Sequence, residues 1–167
     1  MQIMVTLGTN LELNRMLTAI REFFEKHIGS GEGQADEGHR IKVATAALLT
    51  EMVRMDGQVE EVERDAALNA VRAKFNLSEE EAATLIGLAE AEVRQAPDYY
   101  QFTSLINKHF TPEQKQRVIE HMWTIAYADA ELNLYEEHLV RKIADLLYVP
   151  HATVIAAKIR ARDGAAS

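Results

Sequence analysis

Beyond residue 40 the apolar residues recur every third or fourth position, and no stretch of the 167 residues sustains the alternation of a half-buried strand. That period restricts the chain to helices packed on helices. "IKVATAALLTEMVRM" carries Val43, Ala46, Ala47, Leu49 and Val53 on one side and predicts a helix over about 40–55. "EEVERDAALNAVRAKF" continues the pattern over about 60–75. Ser78-Glu79-Glu80-Glu81 has the form of a capping box, the serine accepting from a free amide while Glu81 reaches back, and it opens a helix to about residue 94. Pro97 suits the first turn of a helix over "PDYYQFTSLINKHF". Thr111-Pro112-Glu113-Gln114 is a second capping box and starts a helix running to about Tyr127. "LYEEHLVRKIADLLY" follows, and Pro150 starts the last helix toward Arg160. The fold class is all-α.

The break in this pattern is "GSGEGQADEGH", residues 29–39, with four glycines and almost nothing apolar; it reads as a flexible linker. Before it, Leu17, Ile20, Phe24 and Ile28 mark a short amphipathic helix over 16–28, expected to pack on the main body. A membrane surface or a partner is the alternative use of that helix. Residues 1–15 form an N-terminal extension without a clear pattern. Residues 40–162 form the helical domain, with repeat halves at about 40–94 and 112–162.

The halves align at an offset of 73, placing Asp56 on Asp129, Val59 on Leu132, Glu63 on Glu136, Phe75 on Tyr148, Ala83 on Ala156 and Ile86 on Ile159. The expected architecture is seven to eight helices in two pseudo-repeated antiparallel bundles that share a core. At the joint between two helices each half spells Asp-x-x-(Val/Leu)-x-x-x-Glu, once in "VRMDGQVEEVER" and once in "AYADAELNLYEE".

Three readings of these acidic joints stand open. The first is helix capping, which suits Glu136 three residues after Asn133 but not Glu63, whose counterpart of Asn133 is Glu60. The second is a metal site. An ordinary EF-hand is excluded, because its first two ligand positions would be Met52 and Arg54, or Ile125 and Tyr127. If the two joints meet, Asp56, Glu63, Asp129 and Glu136 form an all-oxygen set that needs a neutralising cation and suits Ca²⁺, Mg²⁺ or Mn²⁺. The third is an acidic docking patch for a protein partner, with Glu60, Glu61, Glu131 and Glu137 as its rim. His121 and His138 are further candidate ligands near the second joint, and Trp123, Tyr127, Tyr135 and Tyr148 read as core.

Composition narrows the function. A formal net charge of −8 argues against nucleic acid, which calls for clustered lysine and arginine. The chain has no cysteine, so thiolate metal sites and cysteine catalysis are excluded, and a reducing cytoplasm is the expected setting. No apolar run approaches the roughly 20 residues of a membrane span, and no secretory signal opens the chain. No phosphate-binding loop, nucleophile elbow or His-Glu-x-x-His sequence occurs. The chain is therefore read as no enzyme. A carboxylate-based metal hydrolase on the same four acids is the alternative from that class, and a purely structural interaction module is another.

A helix ending in "MVRMDGQVEEVE" or "IAYADAELNLYEE", twice in an all-helical chain, resembles the TerB-like tellurite-resistance family over about residues 16–162. The resemblance implies a bundle of seven or eight helices in bacterial cytoplasm, linked to tellurite and other chemical stress, acting beside membrane-associated or metal-binding partners rather than as an established enzyme. It carries the family's acidic positions onto Asp56, Glu63, Asp129 and Glu136. The second joint departs from the pattern at Ala130, where the first has Gly57.

Overall fold

The computed structural model describes residues 2–29, 37–55, 69, 71–90, 100–128 and 134–166. Among these residues there are seven helices of more than two turns and no strand. They are α1 (Gln2–His27), α2 (Glu37–Met55), α3 (Glu79–Glu90), α4 (Gln101–His109), α5 (Pro112–Ala128), α6 (Leu134–Leu146) and α7 (His151–Ala166). Residues 71–74 add a helical turn that ends at Phe75. Pro97 lies outside the described residues, and so does most of the helix read over 60–75.

The centre of the molecule is α2. Every residue from Val43 to Met52 is buried, so this helix is enclosed on all sides rather than amphipathic. Its composition allows this: Ala44, Ala46 and Ala47 let neighbouring helices approach closely, while Leu48, Leu49 and Met52 fill the gaps between them. Thr45 and Thr50 return their hydroxyls to the backbone carbonyls of Ile41 and Ala47, so neither is left unpaired. α3, α4, α5 and α6 surround it.

α1 begins well before Met16, as one helix from Gln2. Met16, Ile20, Phe23, Phe24 and Ile28 are buried, while Leu17 is only partly covered, so the buried stripe is rotated slightly from the one read in sequence. Phe23 meets the edge of Phe102 on α4 with ring centroids 6.0 Å apart. Each such aromatic removed from water contributes about 1.5–3 kcal/mol, which explains why α1 packs on the body.

Both capping boxes form. Ser78 N–H donates to Glu81 Oε1 (2.9 Å) and Glu81 N–H to Ser78 Oγ (3.1 Å). Thr111 and Gln114 exchange the same pair of bonds at the start of α5. α4 is different. The residue before it, Tyr100, has no side-chain cap bond, and the carboxylate of Glu51 on α2 supplies the cap from across the core.

Two pieces of geometry bear on the proposed repeat. Asn76 and Tyr148 both have positive φ, 54° and 59°, each just after a buried apolar residue, Phe75 and Leu147. They lie 72 positions apart, not 73. At an offset of 73, Phe75 at 2% exposure would correspond to Tyr148 at 82%, and Ile86 at 6% to Ile159 at 43%. Those two matches, and the placing of Tyr148 in the core, are therefore corrected. Tyr148 is the residue that turns the chain after α6, with its N–H on Asp145 O and the N–H of Val149 on Ala144 O.

The second piece concerns direction. Glu37, at the start of α2, accepts from Gln114 Nε2 (3.1 Å) and pairs with Arg117 (3.5 Å), at the start of α5. Five residues further along α2, Lys42 acts on His121 of α5. One ion-paired point and one electrostatic approach that advance together along both helices indicate that α2 and α5 run in the same direction.

Candidate functional site

Three of the four acids picked from sequence, Asp56, Glu63 and Asp129, lie outside the described residues, as do Glu60, Glu61 and Glu131. Glu136 is the third residue of α6, which opens at Leu134. The described neighbours of these joints define their setting. α2 is described through Met55, directly before Asp56, and α5 through Ala128, directly before Asp129. The two parallel helices thus deliver the chain toward both acidic segments from one direction.

Beside the second joint, Glu137 is already paired. Lys158 Nζ donates to its Oε1 at 3.0 Å, and Arg141 one turn along α6 donates at 3.2 Å. The bond from Lys158 outweighs partial burial, and with Arg141 it holds the Glu137 carboxyl below the usual carboxylate range. Lys158 also stands over the ring of Trp123, 5.2 Å from its centroid. Glu137 is therefore a member of an intrachain network joining α5, α6 and α7, not an unengaged rim for a basic partner.

Of the histidines, His138 is exposed. His121 is half-buried, and burial, then Lys42 and Arg117, push its imidazole below the ordinary histidine value. Glu120 acts in the opposite direction but does not prevail, and the influence of the two cations disfavours a third positive charge at His121.

Sequence reading missed two buried carboxylates. Glu51, at 2% exposure, accepts from Phe102 N–H (2.8 Å), Thr103 N–H (3.0 Å) and Thr103 Oγ1 (2.8 Å). The signal available was a lone charge inside an apolar helical run. Glu81, at 4% exposure, was read only as a cap. It also receives His39 Nε2 of α2 (3.1 Å) and His27 Nδ1 at the end of α1 (3.1 Å). Burial opposes its charge, but the Ser78 N–H and the neighbouring His39 and His27 prevail and hold its carboxyl below the usual value. Next to it, Lys26 donates to Glu80 at 2.9 Å. Both imidazoles turn a nitrogen to the same carboxylate, and among the described residues no three His, Asp or Glu side chains are arranged to hold a metal ion. This cluster fastens three helices.

Among the described residues, no helix is long and apolar enough to cross a membrane. The features together define a class: an all-helical bundle built round an enclosed central helix, with two parallel helices each leading in sequence to an acidic segment. A family model described as "Tellurite resistance protein TerB" matches residues 42–159, and the chain belongs to that family. The matched span begins inside α2, so α1 lies outside it. No curated protein and no solved structure matches the chain.

Proposed function

We propose that this TerB-family chain is a non-enzymatic cytoplasmic stress-response protein of the tellurite-resistance type, and that Asp56, Glu63, Asp129 and Glu136 hold a divalent cation, Ca²⁺, Mg²⁺ or Mn²⁺. The observation that carries the reading is the parallel run of α2 and α5. Each helix carries roughly half a negative charge at its C-terminal end, which opposes the aspartate that follows it in sequence. Carboxylates gain from a helix N-terminus and lose at a C-terminus, which weakens capping as the reason for Asp56 and Asp129. A hard divalent cation relieves that repulsion through oxygen ligands alone. Partner docking is the weaker reading, because Glu137 is engaged within the chain.

The test is calorimetric titration of metal-stripped protein with Ca²⁺, Mg²⁺, Mn²⁺ and Zn²⁺, repeated on the Asp56→Asn/Asp129→Asn double variant. Trp123, the single tryptophan, sits six positions before Asp129 and gives an independent optical readout. Saturable binding by the wild type, lost in the variant, is the expected result. No heat and no change in Trp123 emission with any of the four ions overturns the cation reading. Capture of a protein by the wild type that is lost in Glu60→Lys and Glu131→Lys variants would then place the acids in docking.

A further inference from the structure

A surface cleft of about 340 Å³ lies where α1 crosses the end of α4. It is lined by buried Phe24 and half-buried Leu105 together with Gly29, the exposed Arg21, Lys108 and His109, and a single acid, Glu25. We infer that this cleft is a binding site for a small organic anion, a carboxylate or phosphate head on a flat apolar body.

Three features carry the inference. The first is charge: in a chain of net charge −8, the lining holds two cations, Arg21 and Lys108, and a histidine against one acid. Lys108 and His109 have a local reason to be basic, since they occupy the last turn of α4 and meet the negative end of its dipole. Arg21 has no such reason. It sits six residues before the end of α1, and although Glu25 follows at the favourable spacing of one turn, no ion pair forms between them. Among the described residues no ion pair engages Arg21 or Lys108, and both side chains are exposed.

The second feature is the aromatic lining. The Phe24 ring lies 5.4 Å from that of His109, tilted by 38°, so the two rings pack together where both line the opening. The third is Gly29, where the chain leaves α1. A Cβ there would come within 2.5 Å of Phe24 Cε1, so the absence of a side chain is what lets the ring occupy this wall. An apolar lining with cationic donors is the composition of a small-ligand site, and guanidinium and ammonium groups are the donors that match carboxylate and phosphate oxygens. α1 supplies Arg21, Phe24 and Glu25, and Gly29 stands where the chain leaves it, all outside the family-matched span, so the site joins this chain's own N-terminal helix to the family domain.

The experiment uses the full chain in solution, with benzoate, phenyl phosphate, inorganic phosphate and benzylamine as separate probes, followed by NMR shifts. Salt is held near the physiological level, where screening beyond about 8 Å removes the repulsion of the distant acids. The expected result is saturable binding of benzoate or phenyl phosphate with a dissociation constant on the order of a millimolar, shifting the signals of Phe24, Lys108 and His109. Inorganic phosphate alone should bind more weakly, lacking the apolar part, and benzylamine should not bind there. Arg21→Gln/Lys108→Gln, at two exposed positions that leave the core intact, should weaken the anions at least about tenfold with unchanged melting temperature. Gly29→Ala should weaken them through displacement of Phe24. Binding that survives the double variant, equal binding of benzylamine, or no binding of either aryl anion overturns the inference.

Discussion

Glu51→Ala is the substitution with the most to lose. The carboxylate sits at 2% exposure inside the central helix and takes three hydrogen bonds of 2.8–3.0 Å from the start of α4. Bonds to a charged acceptor contribute about 1.5–3 kcal/mol each, and deleting one member of a buried charged set typically costs about 3–5 kcal/mol. Part is recovered to the extent that water fills the space the side chain leaves and takes the freed amides of α4. The expected loss is about 4 kcal/mol, a large share of the roughly 5–15 kcal/mol that stabilises a domain of ordinary size. Glu51→Gln keeps the shape but turns an NH₂ toward backbone donors, and is expected to cost about 2–3 kcal/mol. Thr103→Val removes one donor and should cost about 1 kcal/mol in the wild type and close to nothing in Glu51→Ala. Urea unfolding followed by far-UV circular dichroism and Trp123 fluorescence measures the wild type and the four variants. A Glu51→Ala cost below about 1 kcal/mol, or the same Thr103→Val cost in both backgrounds, would refute the cross-core cap as a stabilising device.

Other outcomes follow from the same geometry. Because the Glu81 carboxyl is held below its usual value in the folded protein, its contribution is present above the unfolded carboxylate pKa of about 4.3 and is lost as pH falls through the folded value; Glu81→Gln, which can still close the capping box, should flatten stability against pH on the acid side of about pH 5. Tyr148→Gly should raise stability by about 0.5–1 kcal/mol in thermal melts, since it relieves a positive φ of 59° while giving up an exposed ring. Asn76→Gly should gain less, because asparagine tolerates that region. Phe24→Ala should cost about 3–5 kcal/mol in urea unfolding, as expected for an aromatic buried between α1 and α4.

The helical class and the helix starts at Ser78 and Thr111 were legible because they are local: a hydroxyl, a glutamate or glutamine three residues on, and an apolar period. The enclosure of α2 was not. A run of alanines reads the same whether one side or all sides are covered, and only the arrival of four other helices decides it. The cap on α4 was invisible for the same reason, since its carboxylate comes from 51 positions upstream. Tyr148 misled because an aromatic at helical spacing looks like core, whereas the chain reverses there and leaves the ring in solvent. Of the candidate acids, sequence spacing supplied Asp56, Glu63, Asp129 and Glu136, while the parallel course of the helices before the two aspartates emerged only from Glu37, Gln114 and Arg117.

Glu81 has a consequence for how the molecule opens. One side chain closes the first turn of α3 and grips α1 and α2 at residues 54 and 42 positions away in sequence. Fraying at that helix start and release of the N-terminal helix therefore cannot proceed as separate small events, because each gives up the acceptor the other depends on. The amides at the end of α1 and the start of α3 should exchange with solvent as one cooperative unit, at a shared free energy above that of ordinary helix-end fraying. A motif that looks like punctuation in the sequence acts in the fold as a joint between distant segments.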